Sequence, residues 1–341
     1  MVKIQDEPAK NLATLASQHF DNLNPKKLDG NYTAYALVTG IKNQRDADNN
    51  KGLSIRVAFW DYLLANNEQI LREILTGTPS KLKTLRDAIS NRFSSILFAN
   101  QLSYSDSELT PFGNIVKNIF NYKNYRTKQY CVDYFKTFGL DYCPYCNMTE
   151  IYVTSMTPGM SEQDADTAFF ELDHFYPQSR YPYLSLSFFN LIPACRNCNA
   201  TLKREIDFDI DTHFNPFEKS FHDYFTFSIR NVIINKPSDI QIDINKTIPH
   251  PLNSITDFWL ENRYNRPAVQ HELFNAYVTI RNRSPKTIQS VARQFKNLFV
   301  DKEEVRKNLL GAQNVPMNDR EINRNRYGKL KRDIYMAMGV I

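Results

Sequence analysis

Apolar residues recur at three- and four-residue steps from about residue 54, at Val57, Phe59, Leu63, Leu64, Ile70, Ile74 and Leu75. That period predicts an amphipathic helix with Gly77 as its stop. Ser80 is placed to cap a second helix through KLKTLRDAISNRFSSILF, and Ser107 or Thr110 to open another through IVKNIF. Residues 125–138 read as one more helix. Residues 1–50 are weakly patterned and polar, and KNQRDADNNKG at 42–52 reads as a loop from its Asn, Asp and Gly content. A helical N-terminal domain over 1–140 is the expectation, with no internal repeat.

The helical period breaks over 141–215, which carries two CxxC pairs, the loop VTSMTPGMSEQDAD and the short apolar run AFFEL. After FNPF at 214–217, FTFSIRNVIIN and DIQIDI flank KPS, with Ile240, Ile242 and Ile244 alternating with polar residues. That alternation predicts a β-hairpin. Helices then resume. Ser284 followed by Pro285 is an N-cap with proline at the first helical position, opening KTIQSVARQFKNLFV. Asn318 with Glu321 fits a capping box for a final helix, which Gly328 weakens in its middle. The expected class is α+β, mainly α-helical, in three parts: 1–140, 141–215 and 216–341.

Composition changes little in this picture. The 341 residues are 42% hydrophobic and 13% aromatic, enough to fill a sizeable core. No apolar run reaches the 18 residues of a membrane span, and the N-terminus, with acidic residues and no apolar stretch, does not read as a secretory signal. A cytoplasmic location without membrane association is the expectation. Charge placement says more than its total of +5: residues 261–341 hold 16 Lys and Arg against 8 Asp and Glu, whereas 143–212 hold 4 against 10. A basic C-terminal region faces polyanions or is a set of solvated helix faces. It includes Arg281, Arg283, Lys286, Arg293 and Lys296 in one group and Arg324, Arg326, Lys329, Lys331 and Arg332 in another.

The cysteines carry the sharpest chemistry. Cys131 stands alone on a predicted helix and reads as a buried apolar thiol. The other four form CPYC (Cys143, Cys146) and CRNC (Cys195, Cys198), 48 residues apart. A two-residue spacer lets both thiolates of each turn reach one Zn²⁺, so four sulfurs close a structural site with no open position. The rival readings are unrelated pairs or a redox CxxC, and the βαβ setting of a redox motif is absent.

Between the pairs lies LDHFYP at 172–177, and NLIPACRNCN at 190–199 ends on Asn199 directly after the last cysteine. Asp173 is a hard anionic ligand suited to Mg²⁺ or Mn²⁺. His174 has an intrinsic pKa near neutrality, so it can take a proton from water. Lys203 follows Asn199 by one helical turn and is a candidate phosphate contact, with Arg180 and Arg204 as further candidates. His213 and His222 read as structural, with His213 the one that could still reach the site.

Over residues 141–215 these elements resemble the HNH, or ββα-metal, endonuclease superfamily in identity, order and spacing. The resemblance implies a zinc-stapled ββα-metal core between helical N- and C-terminal regions. It implies His174 as the general base, Asp173 and Asn199 as ligands of a catalytic Mg²⁺ or Mn²⁺, and Asn190 as the residue that holds the base in place. It implies hydrolysis of phosphodiester bonds in double-stranded DNA, leaving 5′-phosphate and 3′-hydroxyl ends. CPYCN and the LENRY segment at 260–264 are also similar to the HNH subunit of Septu and retron-associated defence systems, which implies antiviral defence beside an ATPase partner. An RNA-cleaving toxin and a non-catalytic zinc module that binds nucleic acid or protein remain alternatives.

Overall fold

A computed structural model describes residues 3–4, 11–99, 109–154, 166–220, 224–231, 233–246, 253–281 and 314–337. Its contacts separate two units, Lys3–Gly139 with Ile151–Glu218, and Leu140–Glu150 with Lys219–Ile341. Each of the two units is assembled from segments distant in sequence.

The first unit opens with helices α1 (Leu12–Leu23) and α2 (Leu37–Asn50). Most of the stretch read as a loop over 42–52 belongs to α2. Asp48 explains this: it is 1% exposed and accepts from the Trp60 indole N–H at 2.8 Å and from Gln44 at 3.0 Å. The polar run is thus a solvated helix with one inward acid. Helix α3 spans Ser54–Thr76 but is broken at Ala65–Glu68, where Asn66, Asn67 and Glu68 adopt positive φ. Gly77 ends it. Helix α4 (Pro79–Leu97) is capped by Thr78, not Ser80, because Pro79 occupies the first helical position and the Ser80 hydroxyl is drawn to Glu218. Thr110 caps α5 (Pro111–Ile119), accepting from the Gly113 N–H at 3.0 Å. The single helix expected over 125–138 is two, α6 (Tyr122–Arg126) and α7 (Gln129–Lys136), with Cys131 buried in α7. Phe59 sits edge-on to Phe93 and Phe112 at 5.3 and 5.4 Å, and Trp60 lies beside them, fully buried. Such edge contacts add about 0.5–1.5 kcal/mol each beyond burial.

Two small antiparallel pairs complete this unit. Strand β1 (Val153–Thr154) pairs with β2 (Thr167–Ala168), and β3 (Glu171–His174) with β4 (Leu191–Ala194). In the second pair Asp173 lies opposite Ile192 and His174 opposite Leu191. A π-helical segment, Asn197–Lys203, follows β4 closely.

In the second unit the CPYC turn is tied to segments far along the chain. The Cys143 N–H donates to the Thr149 carbonyl and the Asn147 N–H to the Cys143 carbonyl, which puts Asn147 at φ 51°. Its fully buried side chain donates to the Ile322 and Asn325 carbonyls at 3.0 and 3.2 Å and accepts from the Lys329 N–H at 3.1 Å. Tyr264, the last residue of LENRY, donates its hydroxyl to the Cys146 carbonyl at 2.7 Å. Tyr145 stacks on Phe258 at 4.7 Å. The predicted hairpin is present as β5 (Phe225–Ile229) and β6 (Ile242–Lys246). Helices α8 (Asn253–Asp257), α9 (Leu260–Tyr264) and α10 (Pro267–Arg281) follow. Trp259, between the first two, has φ 49° and is 62% exposed.

Asn318 caps a 3-10 turn, Asp319–Arg324, instead of the final helix. That helix, α11 (Gly328–Ala337), begins at Gly328. A Cβ there would lie 2.5 Å from the Ile322 carbonyl oxygen, so the close approach requires glycine. Lys329 and Lys331, expected on a basic surface, are 1% and 4% exposed and pair with Asp333 and Glu272. Arg324 and Arg326 are exposed. The helix predicted to open at Ser284 lies outside the described residues.

Candidate active site

Strand β3, the π-helical segment and α6 line one cavity of about 500 Å³ in the first unit. Asp173, His174, Asn199, Lys203 and Arg204, five of the residues singled out from the sequence, meet there. Asn190 is not in the lining. Arg180 is not part of the lining: its Nε sits 3.3 Å from Asp207, and its guanidinium lies over the Tyr181 ring.

His174 closes β3 and is buried. Its Nε2 lies 3.0 Å from the Ser185 carbonyl oxygen. A carbonyl only accepts, so Nε2 carries the hydrogen and Nδ1 keeps the lone pair in the neutral ring. Burial pushes the pKa of His174 down to about 4, against the opposing pull of the Ser185 carbonyl and the Asp173 carboxylate. The ring is therefore neutral at pH 7 by a wide margin, beyond what its intrinsic pKa promised. Ser185 is itself fixed, its hydroxyl donating to the Phe120 carbonyl at 2.8 Å. Tyr122 stands edge-on to the imidazole at 4.4 Å between ring centres.

Asn190 is fully buried and uses both ends of its amide. It accepts from the Tyr176 N–H at 2.7 Å and donates to the Tyr176 and Leu184 carbonyls at 3.1 and 3.0 Å. It thus clasps both ends of the segment joining β3 to the Ser185 carbonyl.

Lys203 differs from its expected position on an exposed helix face. It is 1% exposed, with Nζ 3.0 Å from Asp173 Oδ1 and donating to the His174 carbonyl at 2.7 Å. The wider π-helical turn carries its stem inward, and its ammonium rests 4.9 Å above the Phe208 ring. Lys203 therefore braces the Asp-His pair from a buried position in the cavity lining. Arg204, at φ 48°, remains exposed at the rim.

Three groups in the lining were missed. Glu171 precedes Asp173 by two residues, so the strand period places both on one face. It accepts from Asn199 Nδ2 at 2.9 Å. Arg126 reaches the cavity from α6, donating to the Phe170 carbonyl at 3.1 Å, and Tyr122 comes from the same helix. Only the period-two spacing of Glu171 was a sequence signal; α6 is brought to β3 by tertiary packing. The charged lining comprises Glu171, Asp173 and Glu205 against Arg126, Lys203 and Arg204, formally balanced despite the acidity of the surrounding sequence. His213 is not in the lining; it stacks on Phe208 at 3.9 Å.

Cys143, Cys146, Cys195 and Cys198 are all buried, and their four sulfurs lie within 4.8 Å of one another. Tetrahedral thiolate ligation at about 2.3 Å spaces sulfurs by roughly 3.8 Å, so this cluster could hold a metal ion such as zinc.

No family model, curated protein or solved structure matches this chain. Among the described residues no helix is long and apolar enough to cross a membrane.

Proposed function

We propose that this chain is a metal-dependent phosphodiester hydrolase of the HNH, ββα-metal kind, acting on DNA. The observation that carries the reading is His174 held through Nε2 on the Ser185 carbonyl, with Asp173 and Asn199 in the same cavity. The donor types suit a hard cation: a carboxylate at Asp173, one oxygen of which already faces the Lys203 ammonium at 3.0 Å, and an amide oxygen at Asn199. Asp173 and Asn199 would hold Mg²⁺ or Mn²⁺, which when bound would supply positive charge near the departing 3′ oxygen. A zinc ion in the four-cysteine cluster does no chemistry, because four thiolates leave it no open position.

His174 takes a proton from water at Nδ1 while the water oxygen bonds to phosphorus. The P–O3′ bond breaks, leaving a 5′-phosphate and a 3′ oxygen that solvent protonates. An imidazole of pKa about 4 is a weak base on its own, and the anionic phosphodiester beside it raises that value. Arg126 and Arg204, both in the lining, would meet the non-bridging oxygens. Lys203 and Asn190 hold the reacting groups in place. A defence role beside an ATPase draws its support from CPYCN and LENRY, which pack together through Tyr264 and Cys146.

Purified protein with Mg²⁺ or Mn²⁺ is expected to nick plasmid DNA, and His174→Ala to slow nicking about 10²–10⁴-fold, the span of a lost general base. Nicking by the variant at the wild-type rate sinks the assignment. Single-stranded DNA and RNA run in parallel decide the substrate.

A further inference from the structure

Resting on that reading, we infer that Glu171 is a positioning residue that sets which end of the Asn199 amide faces the cation. Asn199 Nδ2 donates to Glu171 Oε2 at 2.9 Å, and both side chains line the cavity with Asp173. An ionised carboxylate only accepts, so this contact admits the amide in one orientation, NH₂ toward Glu171. Oδ1 is then on the opposite edge of the amide and has no protein partner among the described residues. Asn199 is partly exposed, so rotation about its last bond is otherwise cheap. An unrestrained amide presents its NH₂ edge for part of the time, and that edge repels a cation. The restraint is well founded, because Glu171 lies in β3 opposite Ala194 and on the same strand face as Asp173.

Charge separates two possible roles for Glu171. A positioning acceptor can be replaced by glutamine, whose amide oxygen also accepts from Asn199 Nδ2. A ligand that works through its negative charge cannot. The probe is Mn²⁺ alone, titrated into the full chain and followed by the paramagnetic signal of the free ion. Glu171→Ala is expected to weaken Mn²⁺ binding about 10–100-fold, the range for partners that orient a metal ligand, and Glu171→Gln to keep affinity within about threefold of wild type. Melting temperatures of both variants within a few degrees of wild type show that the fold is kept. The double exchange Glu171→Gln with Asn199→Asp reverses donor and acceptor and is expected to bind more tightly than Asn199→Asp alone. Equal losses in Glu171→Gln and Glu171→Ala overturn the inference in favour of a charged ligand, and no loss in either overturns it outright. Wild-type protein that binds no Mn²⁺ instead removes the cation reading on which the inference stands.

Discussion

Lys203 and Asp173 are 1% and 2% exposed and form an ion pair sealed from solvent. A lysine four positions after Asn199 is on the right face in any helical turn, but sequence does not reveal whether the turn faces water or the core. A buried ion pair is weak evidence of stability, since both partners lose hydration. Its worth here is placement: the same ammonium touches the Asp173 carboxylate and the His174 carbonyl. His19 offers a cleaner energetic test because it lies apart from the cavity. It is fully buried, with Nε2 2.7 Å from the Leu186 carbonyl, and desolvation pushes its pKa down to about 4. The unfolded chain, near 6.5, binds the proton more readily. The neutral form's stabilisation is thus complete above pH 6.5 and is lost progressively as pH falls toward 4, by about 3 kcal/mol in all. Urea unfolding at pH 7.5, 5.5 and 4.5 is expected to show that decline, and a midpoint unchanged from 7.5 to 4.5 contradicts it.

At the level of elements, what was legible followed strong local signals. The 54–76 helix came from its period, the 225–246 hairpin from alternation, and the CxxC pairs from ligand spacing. The failures share a cause: a tertiary partner overrode a local preference. Asp48 turned a loop-like run into helix by reaching Trp60, and Gly328 opened a helix because the Ile322 carbonyl crosses there. The candidate site divides in the same way. His174, Asp173 and Asn199 were readable, whereas Tyr122 and Arg126 were not, since α6 lies about 50 residues away from β3 in sequence. Asn147 makes the element-scale case testable. Its side chain joins the CPYC turn to three backbone groups between Ile322 and Lys329. Asn147→Ala strips partners from buried carbonyls and an N–H, which at about 1–3 kcal/mol each predicts a loss of at least about 3 kcal/mol. Chemical denaturation measures it, and a loss below 1 kcal/mol contradicts the reading.

For the whole molecule, the decisive expectation concerns metal content. About one zinc per chain is expected by elemental analysis, and a strong chelator is expected to lower the melting temperature, since an ion bound only by the folded state contributes its binding energy to folding. A zinc-free chain with an unchanged melting temperature removes the zinc assignment. Charge at this scale also reads differently from the sequence. Two of the lysines counted toward a basic C-terminal surface are buried in ion pairs, so the described part of that region offers fewer cations to a polyanion than its composition suggests. The chain has two tryptophans, Trp60 sealed in the first unit with its indole on Asp48 and Trp259 open to solvent in the second. Intrinsic fluorescence is therefore a two-channel signal. Acrylamide silences the red-shifted emission of Trp259 and leaves the blue-shifted emission of Trp60, so each unit can be watched as it melts without attaching a dye.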